Sequence, residues 1–174
     1  RKAQPMSTPS GKPWDFLDEY RGKLFEGRWP TLPALLEITC LRHGARRGFT
    51  AFDPAPLEMT WNEVRATVRD VAAWLQDRGL KRGDRVVVTG KNSPQWAVAY
   101  LAALYAGGIV VPVDYQLSRE ETIRLIRAVE APVLFVDAEK HDLFEQANCG
   151  IREKASLARG KPNYVLELRG RGEP

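Results

Sequence analysis

The stretch RVVVTGKNSPQW, Arg85 to Trp96, holds the residues most suggestive of chemistry. An apolar run ends in Gly90-Lys91, passes through polar residues and meets Pro94. A strand that turns into a helix through Gly-Lys is one way proteins cradle a phosphate, with backbone N–H groups and an ammonium around the anion. The full pattern GxxxxGK[ST] needs a glycine where Arg85 stands and a hydroxyl residue where Asn92 stands, so it fails at two fixed positions. A GxGxxG fingerprint is absent here and at Gly107-Gly108. Local structure explains the residues better. Gly90 lets the chain leave a strand, Ser93 caps a helix, and Pro94 occupies a first helical position that needs no N–H. Lys91 is then expected to be solvated.

The remaining chemistry-bearing residues form no constellation. His43 and His141 have no partner at nucleophile or metal spacing and are expected at the surface. The acids Asp15, Asp18, Glu19, Glu120 and Glu121 fall at helix starts, where they complement the helix dipole. Cys40 and Cys149 lie far apart with no CxxC spacing, which points to a reducing setting. No GxSxG elbow is present. These residues predict no catalytic group and no metal site.

Composition narrows the class. The chain has 174 residues, 44% hydrophobic and 28% charged, with net charge +4 and pI near 9.2. Its Lys and Arg residues interleave with acids, as in DRGLKRGDR, which predicts a solvated surface rather than a nucleic-acid face. Only the tail, with Arg152, Lys154, Arg159, Lys161, Arg169 and Arg171, is locally basic. No signal peptide and no apolar run of about 18 residues is evident.

Several elements must position these residues. Residues 1–13 read as a disordered segment. WDFLDEYRGKLF spaces Trp14, Leu17, Tyr20 and Leu24 as an amphipathic helix, packed on the body or, in a sharper reading, lying on a membrane surface. TLPALLEITCLRHG reads as a helix with Leu35, Leu36, Thr39 and Cys40 inward. Short strands follow at Phe49–Phe52 and Glu58–Trp61, then a helix over Asn62–Arg78 with the stripe Val64, Val68, Val71, Ala72, Leu75. Gly79 and Leu80 are placed to close it. The rest alternates: strand Arg85–Thr89, helix Pro94–Ala106, strand Ile109–Val113, helix Ser118–Val129, strand Pro132–Val136, helix Ala138–Ala147 and strand Asn163–Leu168. The expected fold class is α/β, a layered and mainly parallel sheet with helices on both faces.

Three segments in order, MTWNEV, then GLKRGDRVVVTGKNSPQWAVAYLAALYAGGIVVPVDYQLSREE, then APVLFVD, resemble the N-terminal part of an adenylate-forming (AMP-binding) enzyme. Among these the chain is most similar to acyl-CoA synthetases, long-chain fatty acid–CoA ligases in particular. The resemblance covers about Leu32 to Asp137. It implies a ligase that uses ATP and Mg2+ to turn a fatty acid into an acyl-adenylate and then transfers the acyl group to CoA. It also implies that residues 14–174 are an incomplete N-terminal subdomain, since the phosphate loop, the adenine, ribose and magnesium residues and the mobile-domain lysine of such enzymes have no counterpart in the 174 residues. Alone, the chain is expected to be inactive and to hold no cofactor. A CoA-side contact is expected at Gln116 and Arg119, although Gln116 departs from the basic residue some family members carry. Asn92, Ser93 and Trp96 are expected to border the acyl or CoA channel. Two alternatives stay open: a stand-alone binding or scaffold module, and an adenylating enzyme with a carrier protein or another acceptor. The expected setting is cytoplasmic, with peripheral membrane contact and self-association of the chain as further expectations.

Overall fold

Thr31 opens the first helix of the computed structural model, which describes residues 30–53, 55–144 and 149–172. Residues 1–13 and the WDFLDEYRGKLF segment lie outside the described residues. The Thr31 hydroxyl accepts the Ala34 N–H at 3.3 Å, which starts α1 (Leu32–His43). Its buried residues are Leu36, Ile38 and Cys40. Leu35 and Thr39, both expected inward, are only half-buried; the Thr39 hydroxyl donates to its own helix at the Leu35 carbonyl, 2.8 Å away.

A small antiparallel hairpin follows, β1 (Arg47–Ala51) and β2 (Leu57–Thr60). Thr60 then caps α2 (Trp61–Asp77): it accepts the Glu63 N–H while Glu63 accepts the Thr60 N–H, a complete capping box. The cap contributes on the order of 1 kcal/mol. The stripe matters more, because Val64, Val68, Val71, Ala72 and Leu75 have no exposed surface and each Val or Leu buried contributes roughly 1.5–3 kcal/mol.

The second half builds a four-stranded parallel sheet: β3 (Arg85–Thr89), α3 (Pro94–Tyr105), β4 (Ile109–Val113), α4 (Arg119–Ala128), β5 (Val133–Val136), α5 (Ala138–His141) and β6 (Glu153–Ser156). The strand order is β4-β3-β5-β6, every neighbouring pair parallel. Val86 and Val88 point to one face, where they join α2 and α3 through Val68, Leu75, Val98 and Ala102. Val87 points to the other, with Ile126 of α4, Leu134 and Val136. The sheet is thus covered on both sides, as the apolar strands require.

Three helices end alike. After α2, Gly79 donates to the Gln76 carbonyl and Leu80 to that of Leu75; after α3, Gly107 donates to Leu104 and Gly108 to Ala103; after α4, Glu130 donates to Arg127 and Ala131 to Ile126. These are Schellman closures, and their reversing residue is left-handed: φ is 81° at Gly79, 84° at Gly107 and 50° at Glu130.

Two expected elements differ. The last strand is not Asn163–Leu168 but Glu153–Ser156, whose EKAS sequence lacks an apolar run and so carries no strand signal. Asn163 adopts φ 54° and cannot continue an extended chain; Tyr164 makes one parallel bridge to Ser156, and Val165–Glu167 form a 3-10 turn with Val165 buried. The helix expected over Ala138–Ala147 is α-helical only to His141, then 3-10 over Asp142–Phe144. Residues 145–148 are outside the described set.

Glu130 bears a Cβ where its two counterparts are glycine. A side chain in the left-handed region costs roughly 1–2 kcal/mol, and the Arg85–Glu130 ion pair at 3.2 Å is largely in water and offsets little. Glu130→Gly is expected to raise stability by about 0.5–1 kcal/mol, and a thermal melt should show a Tm increase of about 2 °C.

Candidate functional site

In open parallel sheets, ligands bind beyond the carboxyl ends of the strands where connections diverge. Here that point lies between β3 and β5, since α3 leads from β3 to the β4 side and α4 carries the chain back across to β5. The Gly90-Lys91 loop sits at this point.

Gly90 owes its identity to packing. A Cβ there would lie 2.7 Å from the Leu157 side chain and 3.0 Å from the Asp137 carboxylate. The groups that would attract a phosphate are already engaged by carboxylates. The Lys91 N–H donates to Asp137 Oδ2 at 2.9 Å, and Lys91 Nζ donates to Glu139 Oε1 at 2.6 Å. Glu139 raises the Lys91 pKa, first through this hydrogen bond and then through its charge, and Lys91 lowers that of Glu139 in return. Lys91 is therefore ion-paired rather than merely solvated.

The next residues act as expected locally. Ser93 Oγ accepts the Trp96 N–H at 3.1 Å and caps α3, with Pro94 in its first turn. Asn92 is exposed beside it. Trp96 is half-buried and stacks on Tyr100, ring centroids 5.2 Å apart. Gln95 Nε2 donates to the Tyr164 hydroxyl at 3.0 Å, tying α3 to the segment after β6.

The β4–α4 loop forms the adjoining rim. Its amides are taken up by its own residues: Gln116 N–H donates to Asp114 Oδ1, Leu117 N–H to the Asp114 carbonyl, and Ser118 N–H to Glu121 Oε2. Gln116 is exposed. Arg119 is half-buried; its Nε donates to the Leu143 carbonyl at 2.9 Å and its guanidinium lies 3.8 Å from Glu120. The five sequence-derived residues thus sit on two neighbouring loops and helix starts at one end of the sheet.

Sequence reasoning missed the segment that joins these loops, Asp137–Leu143. Asp137 and Glu139 hold Lys91, Lys140 Nζ donates to the carbonyls of Tyr115 and Leu117, and Leu143 receives Arg119. Its only sequence signal is the Asp that ends APVLFVD. His141, expected at the surface, is 1% exposed. It lies 3.1 Å from Asp142 through Nδ1, its carbonyl accepts from Lys154 at 3.0 Å, and its Nε2 has no partner among the described residues. The Thr89 hydroxyl, at the end of β3, is likewise buried and unpartnered.

The other perturbed titratable cluster lies elsewhere and joins three helices. Glu37 of α1 accepts from Arg65 Nε of α2 at 2.6 Å and from the Tyr105 hydroxyl of α3 at 2.8 Å, and Arg69 donates to that hydroxyl at 3.1 Å. Burial raises the Glu37 pKa, but the Tyr105 and Arg65 hydrogen bonds outweigh it and hold the carboxyl below its ordinary value of 4.5. Burial and the Glu37 charge push the neighbouring Cys40 thiol up to about 11. A cavity of about 490 Å3 near this cluster, lined by Leu32, Pro33, Arg82, Leu104 and Tyr105 among others, includes none of the five candidate residues. No group of three or more potential metal ligands occurs among the described residues.

Comparison with known proteins identifies the fold. The model of the AMP-binding enzyme family matches residues 39–169. The chain belongs to the AMP-binding enzyme family. It is 39% identical over 111 residues to an L-proline–[L-prolyl-carrier protein] ligase of Streptomyces coelicolor, covering 63% of the chain and 20% of that protein. It is 30% identical over 128 residues to a long-chain-fatty-acid–CoA ligase of Bacillus subtilis, covering 72% of the chain and 22% of that protein. The crystal structure of the N-terminal domain of FACL13 from Mycobacterium tuberculosis superposes with TM-score 0.71 at 18% identity, over 84% of the chain and 37% of that structure. This likeness shows a shared fold, that of the large N-terminal domain of adenylate-forming enzymes. The chain spans about a fifth of the length of the curated relatives it matches.

Gly90→Ala is expected to cost about 1–3 kcal/mol, because Leu157 and Asp137 must give way; urea unfolding measures it, and an unchanged midpoint contradicts the packing role. Glu37→Gln tests the helix lock. A carboxylate with a depressed folded pKa contributes stability in full above its unfolded value and loses it as pH falls through the folded value. The variant should be less stable than the parent chain by about 1–3 kcal/mol at pH 7. That gap should shrink progressively below about pH 4.5 in denaturant titrations.

Proposed function

We propose that these residues form the amino-terminal α/β layer of an adenylate-forming ligase that activates a fatty acid with ATP and passes the acyl group to CoA. The observation that carries this reading is the AMP-binding family match across residues 39–169. The named relatives are enzymes, which favours this reading over a stand-alone binding module. Fatty acid as substrate and CoA as acceptor follow the long-chain-fatty-acid–CoA ligases among them. A second reading, with a carrier protein as acceptor, is favoured by the 39% identity to the prolyl-carrier protein ligase.

The described residues do not themselves fit a magnesium-bound triphosphate. The Gly90-Lys91 loop has its amide and its ammonium on Asp137 and Glu139. The catalytic contribution assigned to this layer is positional. It presents Asn92, Ser93 and Trp96 on the β3–α3 turn and Gln116 and Arg119 on the β4–α4 turn. We assign the first three to the wall of the acyl or CoA channel and the last two to the CoA side. ATP and Mg2+ would bind through residues beyond those described, and CoA through such residues together with the Gln116–Arg119 rim. No helix among the described residues is long and apolar enough to cross a membrane. A peripheral membrane contact through residues 14–25 and self-association through exposed apolar side chains such as Leu41, Phe52 and Ile109 belong to the same proposal.

ATP–pyrophosphate exchange tests the reading. The 174-residue chain should give none with short, medium or long acids, because charge on the transferring groups finds no cradle of N–H donors and cation in it. A longer product of the same reading frame should exchange with at least one acid, and thioester formation with CoA or a carrier protein then separates the acceptors. A longer product inactive on the whole acid panel, or exchange by the 174 residues alone, overturns the proposal.

A further inference from the structure

The segment after β5 is short, yet it reaches both loops of the candidate site. α5 has four residues, too few to be stable alone. It is held down at His141, whose side chain is 1% exposed and whose carbonyl accepts from Lys154 on the edge strand β6 at 3.0 Å. Lys140, one residue earlier, is half-buried and directed the other way, over the β4–α4 loop. Its Nζ donates to the carbonyl of Tyr115 and, at 2.6 Å, to that of Leu117.

The geometry of that contact is specific. Two carbonyls two residues apart turn to the same side and converge on one cation. Charge-assisted hydrogen bonds are roughly twice as strong as neutral ones, and an ammonium has three donors, of which two are used here. Turning these carbonyls towards α5 fixes the orientation of the intervening peptide units, and with them the direction of the Gln116 side chain. The neighbouring contacts serve other parts: Arg119 reaches the Leu143 carbonyl, and Glu139 holds Lys91 of the adjoining loop.

We propose that Lys140 is a positioning residue for the ligand end of the sheet, acting by clamping the 115–117 backbone through its two carbonyls. Its relevance to a ligand rests on the functional reading above; the clamp itself does not. Lys140 thereby joins the β4–α4 loop to the segment that also holds the Gly90-Lys91 loop, so both walls of the candidate site share one support.

Hydrogen exchange by mass spectrometry on the 174-residue chain tests this without any ligand. Lys140→Met should speed exchange of the 115–118 amides by about ten-fold or more while β3 and β5 keep their protection. Lys140→Arg, which retains a cation with several donors, should restore most of that protection. Glu139→Gln should affect residues 90–93 and leave 115–118 unchanged. Unaltered exchange at 115–118 in Lys140→Met overturns the proposal. So does faster exchange spread equally over β3 and β5, which marks general destabilisation, and so does failure of Lys140→Arg to restore protection. Because no ligand enters, a longer protein without adenylating activity would remove the functional reading and leave this result standing.

Discussion

Strand β3 is paired on both sides, to β4 and to β5, and Val86, Val87 and Val88 have no exposed surface on either face. A strand in that position has no polar face to offer, so a layer must cover each side. The two hydrophobic clusters are the consequence. Val86 and Val88 call for α2 and α3, and Val87 calls for α4 with the turn that ends in Phe144. Each buried valine is worth more than any single cap or ion pair on the molecule. The helices are therefore placed chiefly by this strand, and the hydrogen-bonded ends refine their directions.

At the carboxyl end of the same strand the chain uses its own carboxylates where a nucleotide-binding protein would leave donors free. Asp137 takes the Lys91 amide, Glu139 the Lys91 ammonium, and Glu121 and Asp114 take the amides of the next loop. Both loops are thus closed by carboxylates.

Most of the fold was legible in the sequence because it rests on strong local signals. The β-branched runs at Arg85–Thr89 and Ile109–Val113 are strands with the expected bounds, and the Ser118–Glu121 box does open α4. β6 was not legible. An edge strand with one side covered by a turn carries few apolar residues, and EKAS reads as loop, whereas the more apolar NYVLEL is diverted by the left-handed Asn163. His141 was misplaced for a related reason: its neighbours in sequence do not reveal its burial, nor that Lys154 of the edge strand reaches its carbonyl. At the site, the caps at Ser93 and Ser118 were readable from spacing. The contributions of Asp137, Glu139 and Lys140 were not, because they are contacts between residues 23 to 48 positions apart.

The three Schellman closures have a consequence for how this layer can vary. At the amino end of the sheet each helix reverses over a fixed pair of backbone hydrogen bonds and enters the next strand within a few residues, as at Gly107-Gly108 before β4. An inserted residue there would break the reversal and shift a buried strand by one register position, turning its valines towards the wrong layer. The opposite end is tied by side chains, which can be exchanged one at a time. Changes in loop length and composition are thus channelled to the carboxyl end, and relatives built on this scaffold can diversify what they bind while leaving the sheet beneath unaltered.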